Sequence, residues 1–279
     1  MEYYDFFNTN NTPIDTNAQI TISVGDDTLF KKGSSEMAVV RFACNLESLP
    51  IFQFDDTYYV SINSNPIQLV YQSSGYPANG FTNPIYNIQQ MLNIINTSLT
   101  GVSASLSFTP STQLFTLSNP QGATISINQP LKSLFGTFPL QKTTTLDPVG
   151  YSFYQFPTGA TIVQEYPSLL CWSEWINIFV ETTIPIRSSN TNFNNIASSS
   201  TIPTLPQKAV LDTLFPIDWY PQGFRSIEYL PYNFRWIYFN NSAVDNTITF
   251  VFKVQDHSGK RYNVPLAPGK SVSMKLQVK

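Results

Sequence analysis

His257 is the one histidine in 279 residues, so any imidazole chemistry must run through it. It stands in Gln255-Asp256-His257-Ser258-Gly259, between an alternating apolar segment and a polar one, which is the pattern of a hairpin tip. A Ser-His-Asp site would need this loop histidine as its base, and no G-x-S-x-G elbow accompanies it. A zinc centre needs three or four convergent His, Cys or carboxylate ligands, and one His with two distant cysteines supplies no such spacing. Cys44 and Cys171 both lie in strand-like apolar contexts and read as buried thiols rather than a disulfide. Asp26-Asp27 and Asp55-Asp56 fit no EF-hand pattern and read as solvated loop acids. A carboxylate pair for glycoside hydrolysis has no fixed spacing and leaves no sequence signature. Phosphate-binding loops of the G-x-x-x-x-G-K-[ST] or G-x-G-x-x-G kind are absent, with only 12 glycines in all. The expectation is therefore a non-enzyme with no catalytic, cofactor-binding or metal site and no cofactor.

Composition points the same way. Apolar residues make up 42%, enough for a core, but charged residues only 12%, about half the usual share of soluble domains. Neutral Asn, Ser, Thr and Gln must wet the surface instead. The 20 Pro, 21 Phe and 15 Tyr indicate many short strands and turns rather than long helices. A formal net charge of −3 offers no basic field for nucleic acid. No apolar run approaches the roughly 18 residues of a membrane span, and the opening MEYYDFFNTNNTP has no signal-peptide pattern. The N-x-[ST] triplets at Asn10, Asn96 and Asn240 are what chance provides in so Asn-rich a chain.

The elements follow from periodicity. Residues 1–17 carry Tyr3, Tyr4, Phe6 and Phe7 without a periodic pattern and read as an N-terminal arm, packed either on its own domain or on a neighbouring subunit. Ile20, Ile22 and Val24 alternate as a strand, and the near-continuous apolar run Met37–Cys44 predicts a strand covered on both faces. Short strands at 57–62 and 67–71 flank an Asn63–Pro66 turn. Ile88, Met91, Leu92, Ile95 and Leu99 form one apolar stripe, so a helix is predicted over about 87–99, with Asn87 as N-cap and Gln90 completing a capping box. A hairpin is predicted from 106–108 and 114–117, then a strand at 125–127 and a helical turn over 131–136 stopped by Gly136. From about 145 onward strands dominate, at 151–156, 172–186, 209–215, 225–230, 234–239, 248–254 and 272–278, broken by a Ser/Asn/Thr/Pro loop over 187–207. We expect a mainly β protein, a single jelly-roll β-sandwich built from 18–49 and 146–279, with a small α+β subdomain inserted over 50–145 and centred on Met91, Leu92 and Ile95.

Several segments together carry a family resemblance. They are Phe224-Arg225-Ser226-Ile227-Glu228-Tyr229-Leu230-Pro231, the Asp256–Gly259 hairpin, and Val264-Pro265-Leu266-Ala267-Pro268-Gly269-Lys270 leading to Met274-Lys275-Leu276. Thr183-Ile184-Pro185-Ile186 and the Ile88–Leu99 stripe with Leu131, Leu134, Phe135 and Gly136 precede them in the same order. The chain resembles the penton, or minor capsid, proteins of virophages and polinton-like double-stranded DNA viruses over most of residues 80–279. One departure is the 187–207 loop, which carries no acidic residue where the family pattern has one. The resemblance implies a structural viral capsid protein, a homopentamer at the fivefold vertices of an icosahedral virion, made inside the host cell. It implies neighbouring major capsid protein capsomers and other minor capsid or vertex proteins as partners, no specific nucleic acid, no membrane span and no catalytic or cofactor residues. A free-standing glycan- or receptor-binding β-sandwich, like a fibre head or a lectin, is the alternative.

Overall fold

The structure is a computed structural model that describes residues 1–23, 36–168, 172, 174–183, 226–231, 233–238 and 247–279, together with the backbone of 209–214. Along the chain come β1 (Glu2–Thr9), β2 (Thr16–Asn17), β3 (Gln19–Ser23) and β4 (Glu36–Asn45). Then follow β5 (Phe52–Gln53), β6 (Tyr59–Ile62), β7 (Asn65–Gln68), β8 (Pro84–Ile85), α1 (Ile88–Leu99) and a 3-10 turn, Thr100–Val102. Next are β9 (Ser105–Thr109), β10 (Leu114–Ser118), β11 (Ile125–Asn128), α2 (Gln129–Lys132), β12 (Gln141–Leu146), β13 (Ser152–Gln155) and β14 (Thr161–Val163). The chain continues through β15 (Trp175–Thr182), β16 (Ala209–Leu214), β17 (Ser226–Tyr229), β18 (Ile237–Tyr238), β19 (Thr247–Asp256), β20 (Arg261–Asn263), β21 (Pro265–Leu266) and β22 (Ser271–Val278). Among the described residues the chain divides into two compact units, one of Met1–Leu49 with the chain from Trp175 onward, the other of Pro50–Glu174.

The first unit holds two sheets. One runs β1-β22-β4-β17, with β18 also on β4; the other runs β16-β15-β19, with β20 and β3 both on the free side of β19. Strands taken in chain order therefore pass between the sheets, as in a jelly roll, and the expected fold class holds. Inward residues alternate along the strands: Val272, Met274 and Leu276 on β22, and Ile248, Phe250, Phe252 and Val254 on β19, are all buried. Phe42 stacks on Phe252 with ring centroids 4.8 Å apart, joining the two sheets through the core. Asn45, Thr9 and Ser271 mark one end of the first sheet.

Of the two packings open to residues 1–17, the structure shows the one on their own domain, and residues 2–9 form a strand rather than an arm. All of β1 pairs antiparallel with β22, from Glu2 opposite Val278 to Thr9 opposite Ser271. The cause is the edge of β22, whose backbone groups need a partner that β1 supplies. Tyr4 and Phe6 turn towards the sandwich, and Phe6 stacks on Phe250 at 5.9 Å, while Tyr3 and Phe7 face outward.

The second unit contains a β12-β13-β11-β6-β7 sheet, a β14-β10-β9 sheet, the β5-β8 pair and α1. Asn87 caps α1 by accepting a bond from the Gln90 amide at 2.9 Å, and the Gln90 side chain accepts from the Tyr86 amide at 2.9 Å, one residue before the position a capping box would use. Met91, Leu92 and Ile95 are buried, as the stripe predicts. Asn63 and Ser64 both take left-handed φ, 50° and 68°, so a two-residue turn closes the β6–β7 hairpin, and Pro66 lies on the edge strand rather than in the turn. The helix expected over 131–136 is Gln129–Lys132 instead, capped by Asn128, and Gly136 does not stop it in a left-handed conformation.

The expected domain boundary at 145 also shifts. β13 and β14 are strands of the second unit's sheets, and the unit runs to Glu174. Trp172, expected to open a long strand, is fully buried in this unit's core. It stacks on Phe115 at 5.2 Å, meets Phe135 and Phe52 edge-on, and donates from its indole N–H to the Leu134 carbonyl at 2.8 Å. The strand itself begins at Trp175. The 187–207 loop, and parts of the segments at Thr183–Ile186 and Phe224–Pro231, lie outside the described residues.

Candidate functional site

Among the described residues, several of those with chemical potential hold turns and strands. His257 sits exposed on the tip between β19 and β20. The turn belongs to its neighbour: the Asp256 carboxylate accepts from the Ser258 amide at 2.9 Å, the Ser258 hydroxyl at 2.7 Å and the Lys260 amide at 2.9 Å. Burial pushes the Asp256 carboxyl up, but these bonds and one from Tyr262 outweigh it and leave it below its ordinary value. Cys44 is buried in β4 and its thiol is pushed up to about 12 by burial, which makes it an inert thiol. Cys171, Asp26, Asp27 and Asn240 lie outside the described residues. Asp55 and Asp56 are exposed, and Asp55 accepts from the Thr57 amide at 2.9 Å. Among the described residues no group of three His, Cys, Asp or Glu side chains stands close enough to hold a metal ion.

Two of the N-x-[ST] triplets are structural. The Asn10 amide donates to the Ile14 and Leu266 carbonyls at 2.8 and 2.7 Å, and its oxygen accepts from the Thr12 amide and hydroxyl at 3.0 and 2.6 Å. The Asn96 amide exchanges bonds with the Leu106 backbone, 2.9 Å out and 2.7 Å in, tying α1 to β9. Asn128 and Asp147 form a further buried pair at 2.6 Å, with Asp147 also accepting from the Val149 and Tyr151 amides.

Sequence reasoning missed two features. Glu181, buried on β15, receives Lys253 at 2.9 Å and Arg261 at 3.1 Å from β19 and β20, and Arg261 lies 4.3 Å over the Phe179 ring. Both carboxylate oxygens are thereby engaged, so the cluster clamps three strands; its partners stand too far apart in sequence for any local pattern to announce it. The second feature is a surface recess of about 560 Å³ at the turn from β1 into β3, lined by Asn8, Thr9, Asn11, Thr16, Asn17 and Gln19, with Asn10 and Thr12 at the corner. No lining residue is charged. An Asn/Thr run reads in sequence as an ordinary polar loop, so only the fold reveals the concavity.

The fold is that of known capsid proteins. The structure superposes on the mavirus penton protein with a TM-score of 0.70 and 14% sequence identity, covering 100% of this chain and 99% of that one. A chain in the structure of the Sputnik virophage aligns with a TM-score of 0.69 and 17% identity, covering 99% of this chain and 97% of that one. The expected likeness to virophage penton proteins thus holds at the level of fold, through both units. No protein-family model and no curated protein matches the sequence. No helix among the described residues is long and apolar enough to cross a membrane.

Proposed function

We propose that this chain is a structural capsid protein, the pentameric penton at the fivefold vertices of an icosahedral virion of the virophage or polinton-like kind. The observation that carries the reading is the end-to-end match to the mavirus penton protein, which takes in the Pro50–Glu174 unit as well as the jelly roll. A ring of five needs a heterologous interface, in which one face of a subunit meets a different face of the next. Strand β1 suits one side of such a contact: it ends its sheet, and Tyr3 and Phe7 on it are 56% and 77% exposed. Neighbouring major capsid protein capsomers and other vertex proteins are the remaining partners, and the role needs no catalysis, cofactor or nucleic-acid recognition.

The test is the assembly state. Light scattering of the purified full chain should give five times the 31.4 kDa subunit mass, and negative-stain images should show fivefold rings. Reconstruction of the source particles should place this chain at the vertices. Monomers or trimers in solution together with vertex density that does not fit this fold would overturn the proposal and favour the free-standing glycan- or receptor-binding sandwich.

A further inference from the structure

We infer that the recess between β1 and β3 is a binding site for neutral saccharides. Its lining is an unusual selection of side chains. Thr9, Asn11, Thr16, Asn17 and Gln19 line it and have no side-chain hydrogen-bond partner among the described residues. Each Asn or Gln amide offers donors and an acceptor in one plane, and each Thr hydroxyl does both. Such groups match the vicinal hydroxyls of a sugar ring, which also donate and accept. An uncharged lining gives an anion nothing to pair with, so nucleic acid, phosphate and acidic glycans are disfavoured. It supplies no carboxylate, so recognition would not run through a divalent cation.

The walls are preorganised. Asn10 holds the corner with its four side-chain bonds, and its backbone N–H and C=O pair with the Lys270 carbonyl at 2.9 Å and the Gly269 amide at 2.7 Å. Beneath it β2 pairs with β21, and the Ala18 amide donates to the Val264 carbonyl at 2.7 Å. With the backbone fixed in this way, binding has to order only the lining side chains. The volume falls within the roughly 300–1,000 Å³ of small-molecule sites. Hydrogen bonds at an open recess give weak single-site affinity, and multivalent presentation, which rests on the pentamer reading above, would raise it.

The purified full chain is tested on an array of mannose-, glucose-, galactose- and N-acetylglucosamine-terminated neutral oligosaccharides, with sialylated and sulfated glycans alongside. The strongest neutral ligand is then titrated by saturation-transfer NMR. At least one neutral class should be retained, and Asn17→Ala and Gln19→Ala should each weaken it by roughly five- to tenfold while leaving the melting temperature unchanged. Retention of acidic glycans alone, no saturation transfer from any neutral glycan at millimolar concentration, or variants that bind as the native chain does would each overturn the site. Because the array scores binding whether the chain is a ring or a monomer, its outcome is separable from that of the ring assay.

Discussion

Asn10 and Asp256 do the same work at two turns of the sandwich: each spends a side-chain oxygen on the backbone amide two residues ahead and locks a corner that strands alone would leave open. Asp256 was legible, because Asp-His-Ser-Gly is a local turn signal, and Gly259 takes the left-handed φ of 87° that the turn requires. Asn10 was not, because its decisive acceptor, Leu266, is 256 residues away. Asp256→Ala should cost about 1–3 kcal/mol at neutral pH, measured by urea unfolding. The sign with pH follows from a carboxyl held below its ordinary 3.8: its stabilisation is complete above that value and is lost as pH falls through the lower folded value. Native and Asp256→Ala proteins should therefore converge in acid, and an equal gap at pH 7 and in strong acid would show that the charge is irrelevant. Cys44 behaves oppositely. Its thiol is raised from 9.0 to about 12, so the folded state keeps its proton while the unfolded state loses it, and stability declines as pH climbs through that window. Iodoacetamide labelling followed by peptide mapping should leave Cys44 unmodified in the native protein and label it in urea. Native labelling at mildly alkaline pH would mean that β4 opens readily.

At the scale of the element, α1 and β1 show why one is legible and the other is not. The α1 stripe repeats with the helix's own period, so five positions of the sequence identify both the helix and its buried face. Leu92→Ala should cost about 2–5 kcal/mol in equilibrium unfolding. A cost below about 1 kcal/mol would mean that the site relaxes around the deletion. Strand β1 carries aromatics on both faces, Tyr4 and Phe6 inward but Tyr3 and Phe7 outward, which erases the alternation that marks a strand. Its role depends on the distant edge of β22, a partner that no window of sequence contains. The consequence for truncation is definite. Deleting residues 1–13 removes the β1 ladder, the Phe6–Phe250 stack and the Asn10 corner together. That variant should lose several kcal/mol and melt well below the native chain, or fail to fold. Unchanged melting would show that β22 tolerates a bare edge and that β1 is an arm after all.

On the scale of the whole molecule, the sequence announced an insertion but misplaced its far end. The composition turns strand-rich near residue 145, and nothing local separates a strand that serves the inserted unit from one that serves the jelly roll. The structure separates them by contact. The second core runs from Ile51 to Trp172 and draws Phe156, Ile162 and Trp172 from beyond the expected boundary. The chain also enters and leaves this unit at adjacent points: the Glu174 amide donates to the Ile51 carbonyl at 3.1 Å, and the Glu174 carboxylate accepts from the Gln53 amide at 2.7 Å and its side chain at 3.1 Å. Adjacent ends are what an element inserted into a strand-to-strand connection needs, since the host closes over the gap without strain. We predict that an excised 50–174 fragment folds alone. Trp172 is its one tryptophan, so a blue-shifted emission and a single cooperative urea transition would report the native core directly. A 50–145 fragment lacks β13, β14 and Trp172, leaves Phe115, Phe135 and Phe52 without their central ring, and should bind a hydrophobic dye without a cooperative transition. Cooperative folding of the shorter fragment would return the boundary to 145, and failure of both would show that the inserted unit depends on the jelly roll for its stability.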